Sequence, residues 1–122
     1  MKFHLSQPEG NVITGSGPGW VRVGPVEHRE SLAIAPDTLV KPWAAGGFDA
    51  LHEDDFARIG ALRPEIVLLG TGARQRFPHP RLYRALIDAG IGVEVMDSAA
   101  AARTYNIIAA EGRRVVAAIL LP

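Results

Sequence analysis

The stretch EIVLLGTGARQRFPHPRLYRALIDAGIGVEVMD, residues 65–97, decides the fold. Glu65-Ile66-Val67-Leu68-Leu69 is a continuous apolar run of strand length, the pattern of a strand buried on both faces and therefore central in its sheet. Pro80 suits the first position of a helix, Leu82 and Leu86 share a face at i,i+4 spacing, and Gly90 supplies the stop, so a helix is predicted over 80–89. Val93 and Val95 mark a second strand ending at Met96-Asp97. Strand, helix and strand in that order make a βαβ unit, with parallel strands and a right-handed crossover.

Downstream of this unit, Ser98 is placed to cap a helix whose alanine-rich first turns allow close packing. Tyr105 and Ile108 lie one turn apart on it, and Gly112 stands past its end. Val115 to Leu121 closes the chain as a buried strand. Upstream, Glu53, Asp54 and Asp55 occupy the first turn of a helix predicted from about 53 to 62, where carboxylates suit the positive end of the dipole. Phe56, Ile59 and Leu62 give it an apolar face, and Pro64 ends it. Before residue 50 the rhythm changes to short extended runs broken by glycine and proline. Trp20 and Arg22 alternate with Val21 and Val23 after the turn-forming Gly15-Ser16-Gly17-Pro18-Gly19, which predicts a hairpin, and a second forms around Pro36-Asp37. Trp20 and Trp43 are expected near the surface, where strand edges and aromatics favour weak homodimers.

A length of 122 residues fits one domain, taken as residues 1–122, and 48% hydrophobic content suffices for one core. Thirteen basic and thirteen acidic side chains cancel. No general positive field exists to gather nucleic acid or an anionic membrane. The absence of cysteine removes disulfides, thiolate nucleophiles and cysteine-ligated metals together. MKFHLSQPEGN carries no apolar signal core, and no run reaches membrane-spanning length, so a cytoplasmic protein without membrane insertion is expected.

Gly70-Thr71-Gly72 follows the central strand and so lies at a strand's carboxyl end, where open α/β sheets bind ligands. With Arg74 and Arg76, its amides suit a carboxylate or phosphate. Neither a dinucleotide fingerprint nor a P-loop is completed there, and the plain alternative is a strand-to-loop turn with solvated arginines. Asp97 ends the following strand, while Arg103 and Asn106, three apart on the next helix, share a face toward the same rim. The plainer reading makes Asp97 and Arg103 an ion pair or cap that orients the helix, leaving any ligand to Arg74 or Arg76. The ligand-binding candidates are thus Gly70, Thr71, Gly72, Arg74, Asp97, Arg103 and Asn106. His4, His28, His52 and His79 show no metal-ligand spacing, so neither a metal nor a cofactor is expected. His28, between Glu27 and Arg29, reads as part of an exposed strand pair or edge, and His52 as an irregular start to its helix. Ser16 lacks the nucleophile-elbow spacing, and no complete catalytic motif occurs.

Three blocks carry a family resemblance: Pro64 to Gly72, Gly90 to Ser98, and Ala102-Arg103-Thr104-Tyr105-Asn106-Ile107-Ile108-Ala109-Ala110-Glu111-Gly112-Arg113, with Trp43 also matching. The chain resembles a family first catalogued as a domain of unknown function, to which mitochondrial respiratory complex I assembly factor 3 and the adipogenesis-associated domain proteins belong. That resemblance implies a three-layer β+α/β/α domain with a mixed central sheet whose last strand is antiparallel to the others. It carries over no agreed reaction. His52 stands where relatives often have Thr or Ser, and Ser98 where Thr is common, which bears on the helix caps. Without a mitochondrial targeting extension the chain looks like a free-standing bacterial member.

Two functions follow as expectations. The first is a non-enzymatic protein-interaction or assembly-type domain whose partner belongs to a membrane complex or an export system. The alternative is a small-molecule or anion-binding protein, or an enzyme, using the rim around Gly70-Thr71-Gly72 and Asp97/Arg103.

Overall fold

The computed structural model describes residues 10–121; the MKFHLSQPE stretch, His4 included, lies outside the described residues. Strands β1 (Ile13–Gly17), β2 (Trp20–Val23) and β3 (Val26–His28) form a three-stranded antiparallel sheet. The chain then enters a second sheet through β4 (Leu32–Ala35) and β5 (Thr38–Val40), the hairpin around Pro36-Asp37. Helix α1 (Glu53–Gly60), β6 (Ile66–Gly70), α2 (Arg84–Asp88), β7 (Gly92–Met96), α3 (Ser98–Ala110) and β8 (Val115–Ile119) follow. The predicted helix over 80–89 is composite: a 3-10 turn at Pro80–Tyr83, capped by the His79 ring, continues as α2.

The larger sheet has five strands in the order β5-β4-β8-β6-β7. Alternation along each strand divides its apolar side chains between two cores. Ile34, Ile66, Leu68, Val115, Ala117 and Ile119 face α3 and the small sheet, where they meet Ala101, Tyr105, Val21 and Val23. Val67, Leu69, Val116 and Ala118 face the opposite layer and meet Phe56 and Ile59 of α1 and Leu86 of α2. The result is the expected β+α/β/α layering. The direction of the last strand differs from expectation: β8 runs parallel to β6 and antiparallel only to β4. Its cause is α3, because a helical crossover returns the chain to the starting end of the sheet before the next strand begins. The mixed character of the sheet therefore enters at β4.

Three other expectations are corrected. Trp43 is fully buried, its indole edge-on to Phe56 and its Nε1 donating to the Asp55 carbonyl at 2.8 Å. A tryptophan needs a partner for that N–H once buried, and the start of α1 supplies it. His28 is also buried, with Lys41 Nζ 3.1 Å from its Nδ1. Burial, reinforced by the Lys41 cation and opposed by Glu30, holds its imidazole below the ordinary 6.5. His52 makes a regular helix start: its ring accepts from Asp54 N, and Asp55 Oδ2 accepts from His52 N in return.

Candidate functional site

The carboxyl ends of β6, β7 and β8 meet the first turn of α3 at one end of the sheet. Gly70 permits the contact: a Cβ there would lie 2.9 Å from Ser98 Cα and 3.1 Å from Ala101 Cβ. The buried Ser98 hydroxyl accepts from Gly72 N at 2.8 Å and donates to the Leu120 carbonyl at 2.6 Å, tying together the ends of β6, β8 and α3. Gly72 sits at φ +99°, a conformation glycine adopts without strain. Asp97 caps α3, its Oδ1 accepting from Ala100 N at 2.8 Å. Capping is therefore the work of Asp97, and the hydroxyl expected to cap the helix serves as the three-way tie.

The loop leaving Gly72 is held by its own hydrogen bonds. Buried Thr71 donates through Oγ1 to the Arg74 carbonyl at 2.7 Å, with the Met96 carbonyl at 3.2 Å, and accepts from Arg76 N at 2.9 Å. Gln75 Nε2 donates to the Val95 carbonyl on the outer edge of β7. Arg76 stacks on Phe48 at 3.9 Å and reaches Asp49 Oδ1 at 3.2 Å. The Thr71 amide donates to Met96 O and the Gly72 amide to Ser98, so both are committed to the fold.

Gly72-Ala73 forms a ridge between two clefts. One, about 330 Å³, lies under the β1–β2 hairpin and is walled by Pro18, Trp20, Val21, Ala102, Ile119 and Leu121, with Asp97 and Ala99 at the start of α3. The other, about 310 Å³, is bounded by Phe48, Leu120, Arg74 and Arg76. The structure thus brings Gly72 and Asp97 to the first cleft, and Thr71, Gly72 and Arg74 to the second. Gly70 lies beneath them against α3. Arg74 is exposed, with no side-chain partner among the described residues.

Arg103 and Asn106 line neither cleft. Asn106 clamps β1, accepting from Ile13 N at 3.0 Å and donating to Ile13 O at 2.7 Å. The expected Asp97–Arg103 ion pair is not formed: Asp97 is turned to its own helix N-terminus, and Arg103 is exposed without a charged partner among the described residues. Sequence reading missed Trp20 and Pro18 as cleft walls, because a hairpin's seat on a distant helix leaves no mark in local spacing. No cluster of His, Cys, Asp and Glu fit for a metal occurs among the described residues.

Taken together, these features define a class: a three-layer β+α/β/α domain with a cleft where a parallel βαβ unit meets a small antiparallel sheet. The chain belongs to the family described as Protein of unknown function (DUF498/DUF598), whose model matches residues 13–120. An uncharacterized protein of Rhodobacter capsulatus is 38% identical over 110 residues, 88% of this chain and 82% of that protein. NADH dehydrogenase [ubiquinone] 1 alpha subcomplex assembly factor 3 of Bos taurus is 37% identical over 92 residues, 74% of this chain. The match covers 50% of the bovine protein, so the chain spans about half the length of that relative. A crystal structure of a Bordetella parapertussis protein superposes with a TM-score of 0.87 at 39% identity, covering 95% of this chain and 99% of that one. No helix among the described residues is long and apolar enough to cross a membrane.

Proposed function

We propose that the chain is a non-enzymatic protein-interaction domain of assembly type, acting as a single domain in a bacterial cytoplasm on a subunit of a membrane complex or an export system. The observation that carries this reading is the 37% identity with the bovine assembly factor across 92 residues, 74% of this chain. The state of the rim supports it: the side chains with catalytic potential, Thr71 and Ser98, are buried and spent on backbone groups, which fits a rigid docking surface. Crosslinking of the tagged full chain at native expression, followed by quantitative affinity capture, tests it. Reproducible, stoichiometric enrichment of a membrane-complex or export subunit is the expected outcome; capture of no partner above an untagged control contradicts it.

The second reading, a small-molecule or anion-binding protein, is supported by the Arg74 guanidinium beside the Phe48 cleft. With the amides of Thr71 and Gly72 committed to the fold, an anion there would be held by Arg74 and Arg76, and Arg103 would take no part. Weak homodimerisation belongs to the same set of proposals. Sedimentation equilibrium at high protein concentration checks it, and a strict monomer rejects it.

A further inference from the structure

The cleft beside Trp20 has the dimensions and lining of a ligand pocket: about 330 Å³, apolar walls and very few polar groups. Its shape is built into the fold. A Cβ on Gly17 would come within 2.5 Å of the Trp20 indole nitrogen, so glycine lets the ring lie across the hairpin as a wall. Ser98 also lines the cleft, but its hydroxyl is already bonded to Gly72 N and Leu120 O. Among the described residues, Asp97 is the only ionisable side chain in the lining. One of its oxygens takes the Ala100 amide and meets the positive end of α3, while the other is engaged by no described residue. A carboxylate accepts several hydrogen bonds, and apolar walls strengthen its attraction for an opposite charge.

We propose that this cleft binds a small organic amine, its apolar body between Trp20 and Ala102 and its ammonium group against the free oxygen of Asp97. The sign of the charge is the informative part. The rim arginines, Arg74 and Arg76, line the other cleft, across the Gly72-Ala73 ridge, and Arg22, 5.7 Å from the Trp20 ring centroid, is held by Thr14 outside the lining. Among the described residues, the charged side chain lining the Trp20 cleft is therefore the Asp97 carboxylate. This site stands independently of the protein-interaction reading. Failure of amine binding leaves partner capture untouched, and the reverse holds equally.

Trp20 reports the site directly, because Trp43 is buried in the opposite core. Fluorescence titrations of the full chain with hexylamine, hexanol and hexanoate provide the test. Hexylamine is expected to give a saturable change and to bind about tenfold more tightly than hexanoate. Asp97→Asn, which keeps a helix cap, is expected to bring the two within about twofold. Ala99→Phe, placed at an exposed cleft-lining position, should abolish binding while leaving the melting temperature near wild type, and Trp20→Phe should abolish the signal. The proposal is overturned by absence of saturation up to about 20 mM hexylamine. Equal or tighter binding of hexanoate, an amine preference that survives in Asp97→Asn, binding that persists in Ala99→Phe, or a signal that persists in Trp20→Phe would each overturn it as well.

Discussion

At the first turn of α3 one carboxylate oxygen of Asp97 closes the helix end, and the Ser98 hydroxyl joins the ends of β6 and β8. Further along the same helix Arg103 is exposed and unpaired among the described residues, while Tyr105 and Asn106 reach sideways to hold the start of the small sheet. Asp97, Arg103 and Asn106 read as one rim in the sequence, because helical spacing sets Arg103 and Asn106 on one face and Asp97 ends the neighbouring strand. The layers separate them. The first turn bonds to the strand ends of the large sheet, and the middle of the helix bonds to β1, so one helix divides its polar hydrogen bonds between two sheets.

That division is broken most severely at Ser98. Ser98→Ala strands a buried amide and a buried carbonyl at once, which should cost about 2–4 kcal/mol. At roughly 4 °C per kcal/mol for a domain of this size, thermal melts should show a fall of about 8–15 °C. A loss within about half a kcal/mol, the range of ordinary surface changes, would mean that the three-way tie is not formed in solution.

Asn106→Ala removes two half-buried hydrogen bonds and should cost about 1–2 kcal/mol. The loss should be local. Hydrogen exchange at the Ile13 amide, which donates to Asn106, is expected to accelerate while the β6 amides keep their protection. Uniform acceleration in both sheets would place Asn106 in the common core instead.

Legibility in the sequence followed the range of the interactions involved. Ile66 to Gly70 was readable as a buried strand, because burial on both faces leaves an unbroken apolar run. Gly90 and Gly112 marked helix ends because stopping a helix is a local event. The direction of β8 depends on which face α3 crosses and which strand receives it, and neither is written within a few residues. Trp43 and His28 were misplaced for a similar reason, since their burial is supplied by α1 and by Lys41, elements distant in the chain. Of the candidate site, Gly70, Thr71, Gly72 and Asp97 converge as their positions at strand ends suggested. Arg103 and Asn106 do not join them, because spacing along a helix fixes a direction and leaves the neighbouring layer open.

His28 offers a smaller effect on the far side of the small sheet. Its pKa is lowered in the fold, so between that value and 6.5 the unfolded chain binds more protons than the folded one. Stability carried by the neutral ring is therefore present above 6.5 and is lost as pH falls through the folded value. Urea midpoints measured from about pH 7.5 to 5.5 should fall more steeply for wild type than for His28→Gln. His52 and His79 are exposed and common to both proteins. Parallel slopes would show that His28 titrates normally and is not buried.

The smallest expected effect is also the most direct test of whether the start and the middle of α3 act separately. Urea unfolding of wild type, Asp97→Asn, Arg103→Ala and the double mutant measures the coupling between a capping carboxylate and an exposed guanidinium. Arg103→Ala alone should stay within about half a kcal/mol of wild type, and the coupling should lie within about 0.3 kcal/mol of zero. A coupling of about 1 kcal/mol or more would restore the Asp97–Arg103 ion pair and contradict the division of the helix between two sheets.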